Sequence, residues 1–178
     1  LITEIKKVLD ISKPDYVFVH GDTTTCFASS IATFYSKLKL VHVEAGLRTN
    51  NKYSPFPEEM NRQLVSRIAD IHLCPTIVAK NNLLNEGIDE DKIFVTGNTT
   101  FEAMEHFQPQ INESKILDTL SLDKDSYILV TAHRSENVDN LENLAQIFEA
   151  LELIAQEFKR EIIFPMHPRT QSKIGNID

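Results

Sequence analysis

Ionisable and polar residues collect in a few short strings of this chain. They are His20-Gly21-Asp22-Thr23-Thr24-Thr25, Glu44-Ala45-Gly46-Leu47-Arg48-Thr49, Thr96-Gly97-Asn98-Thr99-Thr100, Thr131-Ala132-His133-Arg134-Ser135-Glu136-Asn137 and Pro165-Met166-His167-Pro168-Arg169. The first two supply carboxylates and the last two supply imidazole and guanidinium. Acids that move protons, opposed by cations that hold phosphate oxygens, make a set suited to acid/base work on an anionic ligand. Each group also has a structural use. Asp22 after a glycine could cap the following helix. Glu44 directly follows the apolar residues 40–43, and a carboxylate beside low-dielectric core should be paired or shifted in pKa, the condition of a useful acid or base. Glu58 and Glu59 follow Pro57 in a first helical turn, where acids favour the helix dipole in any case. His20, His42 and His72 fall in strand-like runs and read as core or supporting groups. His133-Arg134 and His167-Pro168-Arg169 could be solvated charge, but they hold equivalent places after two strands.

The elements that must position these strings are legible from hydrophobic pattern. Short β-branched or aromatic runs at 15–20, 40–44, 71–75, 93–96, 127–132 and 161–166 alternate with helical segments, the pattern of βαβ units and a parallel sheet. The polar strings therefore sit past the carboxyl ends of strands, where open α/β sheets bind ligands. The clearest helix spans 141–158, with Leu141, Leu144, Ala145, Phe148, Leu151, Ile154, Ala155 and Phe158 on one face and Asp139 with Glu142 as a capping-box-like start. A helix beginning at Pro57 should turn Met60, Leu64 and Ile68 to one side, and a helix at 76–86 should stop at Gly87. The expected organisation is a first Rossmann-like domain over 1–107, a linker region at 108–124 carrying Pro109 and a short helical stretch, and the opening of a second domain over 125–178. Leu1 is not an initiator methionine, and the final residues follow a strand-like run with no closing helix expected, so the chain reads as a piece of a longer one.

With 178 residues, 42% of them hydrophobic, the chain has the composition of a globular protein with a sizeable core. Its 18 Lys+Arg against 26 Asp+Glu give a formal charge of −8. No basic run or aromatic-basic interleaving is present, which speaks against nucleic-acid or anionic-membrane partners. Two separated cysteines, Cys26 and Cys74, form neither a metal pair nor a disulfide framework, so the cytoplasm is the expected compartment. No GxGxxG opens a helix and no Walker lysine loop occurs, so neither nucleotide-cofactor fingerprint is visible. Gly21-Asp22 and Gly97-Asn98 are like metallophosphoesterase signatures, but Thr99 stands where a histidine should follow the Asn and no Asp-x-His precedes Asp22. The scattered histidines lack zinc spacing, so no metal is expected.

The strings at 20–25, 43–49, Pro57-Glu58-Glu59-Met60-Asn61-Arg62, 131–137 and 165–168, in this order over most of the chain, resemble the non-hydrolysing UDP-N-acetylglucosamine 2-epimerases. Hydrolysing relatives tend to carry Arg after the Gly-Asp pair, and Thr23 favours the non-hydrolysing branch. The resemblance implies an α/β, GT-B-like fold: parts of two Rossmann-like, doubly wound parallel-sheet domains with a nucleotide sugar between them. It implies an isomerase that interconverts UDP-N-acetylglucosamine and UDP-N-acetylmannosamine for surface polysaccharide synthesis, with no cofactor, and a homodimer in the full-length protein. Catalytic roles fall by this resemblance on Asp22, Glu44, Glu58 and His133, and substrate or regulatory-ligand binding on Arg134 and His167.

The C2 proton of an N-acetyl sugar has no adjacent ring carbonyl to acidify it. Elimination of UDP to a glycal, followed by re-addition, is the route that fits the carboxylates and cations present. Which carboxylate removes the proton and which returns it stays open. The family's opening basic loop and its closing uridine-binding segment are missing from these 178 residues, so the chain alone is expected to be inactive. Two other functions use the same residues: a GT-B glycosyltransferase, and a non-catalytic nucleotide-sugar binding module.

Overall fold

The computed structural model describes residues 1–174, with the side chains of 135 and 136 outside the description. Residues 175–178, part of the tail mentioned above, lie outside it too. The chain divides into two compact units, Leu1–Phe107 and the residues from Gln108 onward.

The first unit is a four-stranded, wholly parallel sheet in the order β1 (Tyr16–His20), β2 (Lys39–Val43), β3 (Ile71–Cys74), β4 (Ile93–Val95). Strands in sequential order wind in one direction, so their right-handed crossovers bring the connecting helices to one face. Those helices are α2 (Thr24–Tyr35), α3 (Glu58–Ile68) and α4 (Ile77–Asn85), while α1 (Ile2–Ser12) packs on α2. Alternation along the strands turns Val17, Val19, Leu40 and Cys74 toward this cover. Val19, Cys26, Leu40 and Val65 form one buried cluster, and Ala45, Cys74, Ala79, Leu83 and Ile93 form a second. The opposite face carries Tyr16, Phe18 and Phe94 in the open.

Helix starts follow side-chain chemistry. Thr23 caps α2 by accepting the Cys26 N–H at 3.1 Å, so the capping alternative for Asp22 falls to its neighbour. Thr76 caps α4 in the same way, and Gly87 beyond its end has φ 79°. The face expected for α3 is corrected. Leu64 is exposed, and the buried residues are Glu59, Asn61, Arg62, Val65 and Ser66, because this helix is held by polar contacts to the strand-end loops.

Helix α5 (Thr99–Glu113) runs through Pro109, and α6 (Ile116–Leu120) follows, so the segment expected as a linker is mostly helical. In the second unit β5 (Tyr127–Leu129) pairs in parallel with β6 (Glu161–Ile163). Both strands are shorter than expected. Helix α7 (Ser135–Val138) precedes α8 (Leu141–Phe158), whose cap is Asn140 and not Asp139. Asn140 Oδ1 accepts the Glu142 N–H at 2.9 Å, while Asp139 lies 3.7 Å from Arg169. A closing helix does follow β6, namely α9 (Pro168–Ile174), where buried Thr170 donates to the Ala132 carbonyl at 2.9 Å. Among the described residues no helix is long and apolar enough to cross a membrane.

One backbone approach is tight enough to test. Gly46 has φ 83°, and a Cβ there would run into the Ala79 carbonyl of α4. Left-handed geometry alone costs an L-residue about 1–2 kcal/mol, and the collision adds to it. Gly46→Ala is therefore expected to lower unfolding free energy by at least about 2 kcal/mol in urea titration. A change under about 0.5 kcal/mol would contradict this packing.

Candidate active site

Gly21, at the end of β1, is the pivot of the acidic cluster. Its N–H donates to the Val43 carbonyl at 3.0 Å and its φ is 71°. The carboxylate of Glu44 lies over it so closely that a Cβ on Gly21 would sit 3.3 Å from Oε2. Glu44 itself adopts φ 63°, a left-handed conformation that costs a residue with a Cβ about 1 kcal/mol or more and recurs where function demands it. Beside this carboxylate stands His20, whose Nε2 lies 3.5 Å from Oε2, an ion pair only when the imidazole is protonated, with both side chains partly open to solvent. His20 thus belongs to the site, where reading it as a core strand histidine had hidden it.

Asp22 points the other way, into α3. Its Oδ2 accepts from Arg62 Nη2 at 2.6 Å, and its carbonyl accepts from Asn61 Nδ2 at 2.8 Å. Arg62 Nη1 also lies 3.6 Å from Glu59 Oε2. Glu59, fully buried, was weighed only as a first-turn acid, yet it accepts the N–H groups of Thr49 and Asn50 at 3.0 and 3.1 Å and the Gln63 amide at 2.8 Å. Burial pushes its pKa up, but these hydrogen bonds together outweigh burial and hold it below the ordinary carboxylate value. Glu58, by contrast, has no hydrogen bond or ion pair among the described residues. It stands one turn before Arg62 on the same helix face.

The arginines of this unit serve the protein. Arg48, almost wholly buried, forks onto Glu86 at 2.6 and 3.0 Å and reaches Ser66 at 2.9 Å. Arg62 serves Asp22, and Arg67 donates to the Glu86 carbonyl. The second unit differs. There the rings of His133 and His167 stack with centroids 5.5 Å apart and 28° between planes. Thr131 Oγ1 lies 3.4 Å from His133 Nδ1, and His167 Nδ1 accepts the Arg169 N–H at 3.2 Å. Arg134 is exposed, and its side chain has no ion pair among the described residues. The unit therefore offers two imidazoles and an uncommitted guanidinium at its strand ends, a set that can hold an anion.

Comparison with known proteins adds a name to this geometry. The family model described as UDP-N-acetylglucosamine 2-epimerase matches residues 1–178. A UDP-N-acetylglucosamine 2-epimerase of Bacillus subtilis is 50% identical over 156 residues, covering 87% of this chain and 40% of that protein. The solved UDP-GlcNAc 2-epimerase of Methanocaldococcus jannaschii, in complex with UDP-GlcNAc and UDP, is 41% identical with a TM-score of 0.88, covering 98% of this chain and 48% of that one. The enzyme from Neisseria meningitidis, bound to UDP-GlcNAc, is 39% identical with a TM-score of 0.83, covering 99% and 51%. This chain thus spans about half the length of these relatives, and its fold is of the α/β, GT-B-like class expected from the sequence.

Behind the acidic cluster, His42 and His72 are Cα partners on β2 and β3, and both are fully buried. Each imidazole is pushed down to about 4, chiefly by burial, with Arg48 acting in the same direction on both, the neighbouring His42 acting so on His72, and the bond to Gly21 partly opposing the change in His42. The unfolded rings titrate near 6.5, so between that pH and about 4 the unfolded chain binds protons that the folded one refuses. The contribution of the pair is complete above about pH 6.5 and is lost as pH falls toward 4. Unfolding free energy is expected to drop by about 2 kcal/mol per ring between about pH 7 and 4.5, and a doubly substituted His42→Gln, His72→Gln protein should lose that slope. An unchanged slope in the variant would contradict burial of the pair.

Proposed function

The chain belongs to the UDP-N-acetylglucosamine 2-epimerase family, and on that footing we propose that the whole protein interconverts UDP-N-acetylglucosamine and UDP-N-acetylmannosamine. The observation that carries this reading is Glu44. It is held at left-handed φ, its carboxylate is over Gly21, and the only group within ion-pair distance of it among the described residues is the imidazole of partly exposed His20. A carboxylate kept in costly geometry at a sheet's carboxyl edge, and not consumed by an arginine, is fit to exchange a proton with a bound sugar. Asp22, committed to Arg62, is better fitted to fix the site's shape and charge than to take up a proton. Glu58 on α3, without a hydrogen bond or ion pair among the described residues, is the second candidate for proton transfer.

In the proposed reaction a carboxylate removes the C2 proton while the C1–O bond breaks, and UDP departs with that electron pair. The glycal left behind has a C1–C2 double bond. Re-addition of UDP at C1, with a proton delivered to the other face of C2, gives the epimer. Negative charge grows on the departing diphosphate, and His133, Arg134 and His167 are the groups that would stabilise it. Two stacked imidazoles repel when both are protonated, and an anion bridging them relieves that repulsion. The product would supply surface polysaccharide synthesis.

The test is turnover of UDP-N-acetylglucosamine by the full-length protein in heavy water. UDP-N-acetylmannosamine carrying deuterium at C2 is the expected product, and Glu44→Gln should reduce its formation at least about 10²-fold. Epimer without C2 deuterium, transfer of the sugar to an acceptor as a new glycoside, or full activity in Glu44→Gln would each refute the reading.

A further inference from the structure

His42 is a buried titratable group that the proposed chemistry leaves unused, and it touches the one peptide on which the acidic cluster turns. Its Nε2 lies 2.8 Å from the Gly21 carbonyl oxygen. An oxygen can only accept, so Nε2 carries the proton, and Nδ1, buried with no hydrogen-bond partner among the described residues, is the bare nitrogen. Cys26 Sγ donates to the same oxygen at 3.2 Å, while the Gly21 N–H is fixed on Val43. The Gly21 backbone is thus held at both its N–H and its carbonyl, with Asp22 attached at one end and Glu44 lying over its Cα.

We propose that His42 is a positioning residue for the epimerisation: its Nε2–H sets the Gly21–Asp22 peptide plane, and that plane keeps Asp22 on Arg62 and fixes where the Glu44 carboxylate, lying over Gly21, meets the sugar. The catalytic part of this statement rests on the function proposed above. His42 does not touch substrate and acts through Gly21. The groups facing it are Cys26 of α2, His20 of β1, His72 of β3, and Asp22 and Arg48 of the loops, and burial dominates their combined influence, keeping the ring neutral. A weak thiol bond alone would leave the carbonyl free to rotate. Losing one hydrogen bond of this kind corresponds to about tenfold in rate when the geometry it holds is needed only in the transition state.

Two measurements on the full-length protein test this. In nitrogen-15 spectra of histidine-labelled protein, with His42 assigned by its loss in His42→Gln, the ring is expected as the Nε2–H tautomer throughout about pH 5.5–8. An Nδ1–H tautomer, or a ring titrating near the ordinary histidine value, overturns the proposal. In kinetics, His42→Leu should lower kcat about tenfold with KM changed less than about threefold, whereas His42→Gln, which keeps an N–H donor, should stay within about threefold of wild type. Equal loss in both variants, or loss in neither, overturns it. Should the Leu variant fail to fold, the tautomer together with retained kcat in the Gln variant decides. A wild-type protein inactive on UDP-N-acetylglucosamine refutes the proposed function instead, and the tautomer then decides the claim about Gly21 alone.

Discussion

Arg62 on α3 is the interaction on which the first unit's strand-end loops depend. One guanidinium nitrogen binds Asp22 after β1, another lies beside Glu59, and Glu59 in turn holds the Thr49 and Asn50 N–H groups in the loop after β2. Asn61, next in sequence, binds the Asp22 carbonyl. A single helical turn therefore joins two loops that are far apart in the chain. Such a buried ionic cluster is a weak source of net stability, because desolvating the charges offsets much of their attraction. Its effect is geometric: removing one member leaves the others charged, buried and unpaired, so alternative placements of the loops are costly.

That arrangement explains a contrast between the two carboxylates at the sheet edge. Asp22 is bound by Arg62, whereas Glu44 has, among the described residues, only an imidazole within ion-pair distance. The backbone strain at Glu44 and the close approach over Gly21 are tolerable because both neighbouring loops are pinned, the first through Asp22 and Asn61, the second through Glu59 and the Arg48–Glu86 fork. Arg48 and Arg62 are spent on this pinning. Arg134 of the second unit, next to His133 in sequence, is exposed and has no ion pair among the described residues.

How much of this was legible follows from what each signal measures. Short β-branched and aromatic runs located the six strands found among the described residues because such runs report burial, and Leu141–Phe158 was bounded correctly because its apolar stripe is long and regular. Strand ends were overestimated at Ala132 and Met166 because apolar composition continues past the last ladder bond. The apolar stripe of α3 was expected at Met60, Leu64 and Ile68; Ile68 does pack on a buried cluster, but Leu64 is exposed, because periodicity finds apolar faces and this helix buries Glu59, Asn61 and Arg62. The sequence pattern marked Asp22 and Glu44 as chemical candidates, but not that one would be bound by Arg62 and the other strained at positive φ. Those are consequences of tertiary contacts between segments some forty positions apart. Asn140 in place of Asp139 as the α8 cap is the smaller kind of error, a shift of one residue at a helix boundary.

Asp22 and Arg62 act as one energetic unit in holding the loop after β1. A double-mutant cycle with Asp22→Asn and Arg62→Met, followed by urea unfolding of the protein, measures that coupling directly. The predicted coupling is about 2 kcal/mol or more, with each single variant destabilised more than additivity with the double would allow. Additive effects, with coupling under about 0.5 kcal/mol, would mean that α3 does not hold the acidic loop.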